Sequence, residues 1–143
     1  VVQRVAWAAV LVEGAMVGRI DRGLLALVGV GPEDDEASAR RLADKLAALR
    51  VFGDERGRMQ HAVGSVGGGV LVVSQFTLFG DVSRGNRPGF TGAAPPAQAE
   101  PLVDAVAERL RSHHGLPVAQ GRFGASMAVL SHNDGPVTLL LEV

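Results

Sequence analysis

The chain has 143 residues, 47% of them hydrophobic and 20% charged, with a formal net charge of −1 and no cysteine. One domain's length with this much apolar material excludes disorder, and the near-neutral balance excludes a general nucleic-acid coat, though not recognition of a nucleic-acid end through a few phosphate contacts. No apolar run reaches the ~18 residues of a membrane span, no basic start followed by an apolar segment marks a secretory signal, and the lack of Cys removes disulfide and thiolate chemistry and fits a cytoplasmic enzyme.

Val2 to Val12 is rich in Val and Ala and strand-like, and Glu13-Gly14 supplies its turn. Ala15 to Ile20 returns, Asp21-Arg22-Gly23 turns again, and Leu24 to Val30 is a buried strand stopped by Gly31-Pro32. Asp34 or Asp35 caps the next element, with Glu36 in its first turn. Leu42, Leu46 and Leu49 then recur at helical spacing, which predicts an amphipathic helix ending near Arg50. From Val51 to Gly69 the chain is short-period and Gly-rich. Gly67-Gly68-Gly69 precedes the apolar run Val70 to Val73, so it opens a strand, and it lacks a Gly-Lys-Ser/Thr ending; it is not a phosphate loop.

Ser74, Gln75 and Phe76 extend that apolar strand and Thr77 ends it. A long connection containing Ser83 to Phe90 then runs to Pro96, and a loop of this length in a compact domain is often functional. Leu102, Val103, Val106 and Leu110 mark a second helix. Pro101 has no N–H to give the fourth residue back, so this helix is expected to begin near Gln98 and not at Pro96. Val118 to Gln120, Ser126 to Ser131 and Val137 to Val143 complete the strands. Two helices among seven or more strands imply sheets with helices packed outside, and no parallel alternation is evident.

Candidate chemistry is sparse. Ser74 is not in G-x-S-x-G, Gly64-Ser65-Val66-Gly67 has the wrong spacing for a nucleophile elbow, and Ser131, His132 and Asp134 do not form a triad by adjacency. His61, His113, His114 and His132 show no metal-ligand spacing, so no metal and no cofactor is expected. Thr77, at a strand end running into a long loop, either faces a pocket or is a plain β-former on an edge. Asn133-Asp134-Gly135-Pro136 has two readings as well. It is a hairpin turn, or a rigid Gly-Pro that leaves two carbonyl oxygens facing outward to hold an ammonium group. Nothing local decides between them.

Two stretches taken together do. Ser74-Gln75-Phe76-Thr77-Leu78 with Asn133-Asp134-Gly135-Pro136-Val137-Thr138 resembles the signature pair of the D-aminoacyl-tRNA deacylases. Gln3-Arg4-Val5, Gly23-Leu24-Leu25, Arg84-Gly85-Asn86-Arg87-Pro88 and Gly121-Arg122-Phe123 resemble further family segments in the right order, so the resemblance spans the whole chain. Phe79-Gly80 stands where the family varies, and Gly124 where Ala is common.

The resemblance implies an α/β fold: a layered β-β-α single domain over residues 1–143, with largely antiparallel or mixed sheets and two main helices packed outside. It implies a cytoplasmic homodimer, without membrane or cofactor, that hydrolyses the ester joining a D-amino acid, or glycine, to the 3′-terminal adenosine of tRNA. Ser74, Gln75, Phe76 and Thr77 match the catalytic segment lining the pocket. Gly135 and Pro136 match a cis Gly-Pro that reaches into the partner subunit's pocket. Phe123 and Met127 match positions near the adenosine, and Arg4 a residue that helps hold the Gly-Pro segment. Two rival classes remain: a dimeric module that binds the tRNA end without chemistry, and a small-molecule ester or imine hydrolase on similar β-rich subunits.

Overall fold

The computed structural model describes residues 1–143. Glu13 and Gly14, both at positive φ, fold β1 (Val2–Val12) back on β2 (Ala15–Ile20). β3 (Gly23–Val28) continues along the same edge of β1 after a kink, in unbroken register: Ala8 faces Ile20 and Val5 faces Gly23.

α1 (Glu36–Ala48) starts at Asp35. Its carboxylate accepts the Ser38 N–H at 2.9 Å, and the Ser38 hydroxyl accepts the Asp35 N–H at 3.3 Å, a capping box with Ser in the third position. Asp34 turns instead to the Gly31 N–H, at 2.8 Å. A short hairpin, β4 (Phe52–Gly53) with β5 (Met59–His61), occupies part of the Gly-rich stretch.

β6 (Gly69–Ser74) lies parallel to β3, and β7 (Val118–Gln120) lies parallel to β6. This corrects the expectation of no parallel alternation. α1 with the small hairpin crosses from β3 to β6, and α2 (Pro96–Ser112) crosses from β6 to β7; the irregular chain beside each helix hides the βαβ pattern. α2 corrects a second expectation, because it begins at Pro96 and carries Pro101 inside. The missing donor falls opposite the Ala97 carbonyl, and both residues are exposed, so water can satisfy that oxygen.

β8 (Ala128–Leu139) runs antiparallel along the other edge of β1. The sheet order is β2-β1-β3-β6-β7, and the sheet curls until β2 meets β7: a Cβ on Gly18 would lie 2.5 Å from the Gln120 carbonyl oxygen. Successive residues of a strand face opposite ways. Leu71 and Val73 therefore point into the curl with Val5, Val10 and Leu25, while Val70 and Val72 pack with Leu46 of α1 and Val106 and Leu110 of α2. Burial on both faces explains the uninterrupted apolar run of β6. The layers are β, β and α, as expected. No helix is long and apolar enough to cross a membrane.

Candidate active site

Ser74, the last residue of β6, pairs with Val28 of β3, and the Gln75 N–H donates to the Val28 carbonyl at 2.8 Å. The chain then leaves the sheet in one turn of 3-10 helix, Phe76–Phe79. The strand was expected to run through Gln75 and Phe76 to Thr77. It stops at Ser74 because β3 stops at Val28 and no partner remains beyond it.

No side chain caps the turn at Gln75, and the leading N–H groups of a helical turn find no acceptor within it. Phe76 and Thr77 thus bring free backbone donors to an exposed edge. The Gln75 amide donates to Thr77 Oγ1. The Phe76 ring meets Phe90 edge-on, with centroids 5.1 Å apart at 72°.

Ser74, Gln75 and Phe76 line a cleft of about 600 Å³ together with Phe90, the segment 93–96, Phe123 and Met127. Five of the residues singled out in the sequence thus meet in one place. Thr77 does not line the cleft; it joins the site through its bond to Gln75. Phe90 and residues 93–96 were missed. An aromatic in a long loop was the only signal for Phe90, and the Ala and Pro residues of 93–96 gave none, since they act by where their backbone runs. A second hollow of about 490 Å³ beside Leu140–Val143 holds Leu78 and Phe79 but none of the anticipated site residues.

Gly135, Pro136 and Arg4 lie outside the cleft. β8 pairs with β1 on both sides of them, Asn133 opposite Val5 and Thr138 opposite Gln3, so Arg4 alone faces residues 134–137. The segment is a wide bulge in one strand and not a hairpin turn. The two strands expected from Ser126 to Ser131 and from Val137 to Val143 are accordingly one, because β1 offers partners before and after the bulge.

The Gly135–Pro136 bond is cis, and Gly135 has φ +135°. Arg4 Nε donates to the Asp134 carbonyl at 3.0 Å and Nη1 to the Val51 carbonyl at 2.7 Å. Asn133 Oδ1 accepts the Val137 N–H at 2.9 Å, and its Nδ2 donates to Thr138 Oγ1 at 2.9 Å. Asn133 and Thr138 are braces that motif reading named without giving them a task. The outer edge of β8 has no partner strand, and Val129, Leu130 and Leu139 on it are exposed.

His113 and His114 approach Asp44, with ligating atoms all within 4.8 Å. Asp44 accepts Arg109 Nε at 2.7 Å and contacts His114 Nε2 at 2.7 Å. The Arg109 guanidinium, with His114 second, holds its carboxyl down to about 2. This is an ion-paired clamp between α1 and α2.

A family model described as D-Tyr-tRNA(Tyr) deacylase matches residues 1–142. The chain belongs to that family. It is 57% identical over 142 residues to a D-aminoacyl-tRNA deacylase of Ectopseudomonas mendocina (strain ymp), covering 99% of this chain and 97% of that one. It is 58% identical over 142 residues to a D-aminoacyl-tRNA deacylase of Anaeromyxobacter dehalogenans (strain 2CP-C), covering 99% and 95%. Among solved structures, the c-Myc DNA unwinding element binding protein superposes with a TM-score of 0.91 at 41% identity over 99% of this chain and 96% of that one. A probable eukaryotic D-amino acid tRNA deacylase shares the fold, with a TM-score of 0.78 at 18% identity over 94% and 93%. Family membership makes the chain a hydrolase acting on ester bonds.

Proposed function

We propose that this chain hydrolyses the ester between a D-amino acid and the 3′-terminal adenosine of tRNA at the Ser74–Thr77 turn, and that the Gly135-Pro136 bulge of a second copy completes the pocket. One observation carries this reading. The cleft holding Ser74, Gln75, Phe76, Phe123 and Met127 contains no Gly-Pro of its own, while the bulge stands on a strand whose outer edge is unpaired. Val129 belongs both to that strand and to the cleft lining, so a copy docked along β8 arrives at the cleft.

The free N–H groups of Phe76 and Thr77 bind the oxyanion that develops on the ester carbonyl. Losing one donor of this kind costs about 3–4 kcal/mol. Thr77 Oγ1 accepts from the Gln75 amide, and an amide takes up no proton, so Gln75 is no general base for a threonine nucleophile. Thr77 therefore orients, and the attacking group is the neighbouring ribose 2′-hydroxyl or a positioned water.

The carbonyls of Gly135 and Pro136 hold the substrate's α-ammonium group. With ammonium and ester both fixed, an L side chain meets the Gly-Pro backbone and a D side chain points into open space. Glycine has no side chain to reject, so glycyl-tRNA is a substrate too. Removing D-amino acids from tRNA is a chiral proofreading step. Phe123 and Met127 flank the adenosine.

Subunit mixing tests the shared pocket. A Cβ on Gly135 would lie 2.9 Å from Val137 Cγ2 and 3.0 Å from Arg4 Nη2, at a φ that L side chains rarely adopt. Gly135→Ala thus deforms the bulge, and Thr77→Ala damages the turn. Each variant alone should deacylate D-aminoacyl-tRNA poorly, and refolding the two together should restore activity through dimers with one intact pocket. Mixtures no more active than their parts, or a fully active monomer by light scattering, would refute the shared pocket.

A further inference from the structure

We propose that Phe79 is the positioning residue of the catalytic turn: its ring, seated on the backbone of Gly29, Gly31 and Gly92, sets where Gln75 to Thr77 stand against the 93–96 side of the cleft. The inference rests on the Ser74–Thr77 turn being the reaction site.

Of the four residues in the turn, Phe76, Thr77 and Leu78 are exposed and Phe79 alone is drawn inward. It belongs to neither hydrophobic core, so filling the interior does not account for it. Its ring borders the hollow beside Leu140–Val143 and stands against three glycines. A Cβ on Gly29 would lie 2.9 Å from Phe79 Cε2 and 3.2 Å from the Gln75 carbonyl oxygen. A Cβ on Gly31 would lie 3.4 Å from Cε1 and Cζ, and one on Gly92 3.7 Å from Cδ1.

These three glycines lie on two different segments. Gly29 and Gly31 are in the exit from β3, hydrogen-bonded to the turn through Gln75 N–H and Val28 O. Gly92 opens the segment 93–96 that lines the cleft, which is itself tied to the β3 exit by Ala94 N–H donating to the Val30 carbonyl at 2.8 Å. One ring thus touches both segments beside the cleft and the turn between them. Ring size and the bare Cα at Gly29 together fix a spacing, and a misplacement of about 1 Å can cost about 100-fold in rate.

A double-mutant cycle tests this. Gly29→Ala puts a methyl carbon 2.9 Å from Phe79 Cε2, closer than the two can stand, and Phe79→Leu removes Cε2. Gly29→Ala should lower kcat on D-aminoacyl-tRNA by about 10- to 100-fold while KM changes little, because the residues that grip the RNA end are untouched. Adding Phe79→Leu should return about tenfold of the loss, the non-additivity expected of residues in contact. In NMR spectra the amide signals of Gln75, Phe76 and Thr77 should move in Gly29→Ala and move back in the double variant, a readout that needs no turnover.

A double variant slower than Gly29→Ala would overturn the proposal, as would a loss confined to KM or unmoved Gln75–Thr77 signals. Should Gly29→Ala not fold, Phe79→Ala replaces it: a slow but folded variant supports positioning, and wild-type kcat refutes it. Moved amide signals in an enzyme whose wild type leaves D-aminoacyl-tRNA intact would refute the functional reading and leave the positioning intact.

Discussion

The two signature segments do opposite things on one subunit. Ser74–Thr77 is a receptacle. It leaves the end of a central parallel strand, shares a cleft with Phe123 and Met127, and is held by segments of its own subunit. Asn133–Pro136 is a projection. It bulges from a strand with one free edge, is braced from behind by Arg4 and Asn133, and lies outside the Ser74–Phe76 cleft of its own subunit. A receptacle is legible within one chain, whereas a projection has a use only against something outside it.

The sharpest way to break this comparison is to cut the brace and leave the receptacle alone. Arg4→Met leaves the Asp134 and Val51 carbonyls without their guanidinium donor, and the bulge loosens. kcat/KM on D-aminoacyl-tRNA should fall at least about tenfold, and the preference for D over L substrates should fall with it. Unchanged chirality in a folded variant would place selectivity elsewhere.

A smaller effect sharpens the receptacle side. Arg84 and Arg87 precede Phe90 of the cleft in the same loop and have no carboxylate partner. Changing both to Ala should raise KM for aminoacyl-tRNA and flatten its salt dependence, while hydrolysis of a D-aminoacyl-adenosine fragment stays near wild type. Equal losses on both substrates would make them structural.

The smallest expected effect on activity lies outside both segments. The Asp44 clamp joins α1 to α2 away from the cleft, so Asp44→Asn should leave turnover unchanged and lower the melting temperature at neutral pH. The folded carboxyl titrates near 2, against 3.8 for a free one. Its contribution is therefore fully present above 3.8 and lost as pH falls through 2. Thermal melts should show the gap between variant and wild type closing over that window, and a gap that persists below it would mean the clamp is not ionic.

Much of this molecule is local and was therefore open to reading from the sequence. Strands β1 to β3 follow from apolar runs and turn residues, α1 from its leucine spacing and an Asp cap, and β7 from three residues. The pairing of Ser74–Leu78 with Asn133–Thr138 points to the family. What sequence could not decide were the matters settled by partners distant along the chain. Asn133–Pro136 looks like a hairpin turn because turn residues look alike wherever they stand; β1, pairing before and after it, makes it a bulge. Thr77 looks like a strand end, and the stopping of β3 at Val28 makes it part of a helical turn. Pro101 looks like a helix breaker, and solvent at Ala97 lets the helix begin ahead of it. Phe79 drew no reading as a site residue, because a seat made of three glycines on two segments exists only once those segments have been brought together. Residue type and spacing carry local hydrogen bonding and periodicity, whereas the partner of a strand edge or the seat of a ring is set by which segments the whole core brings side by side.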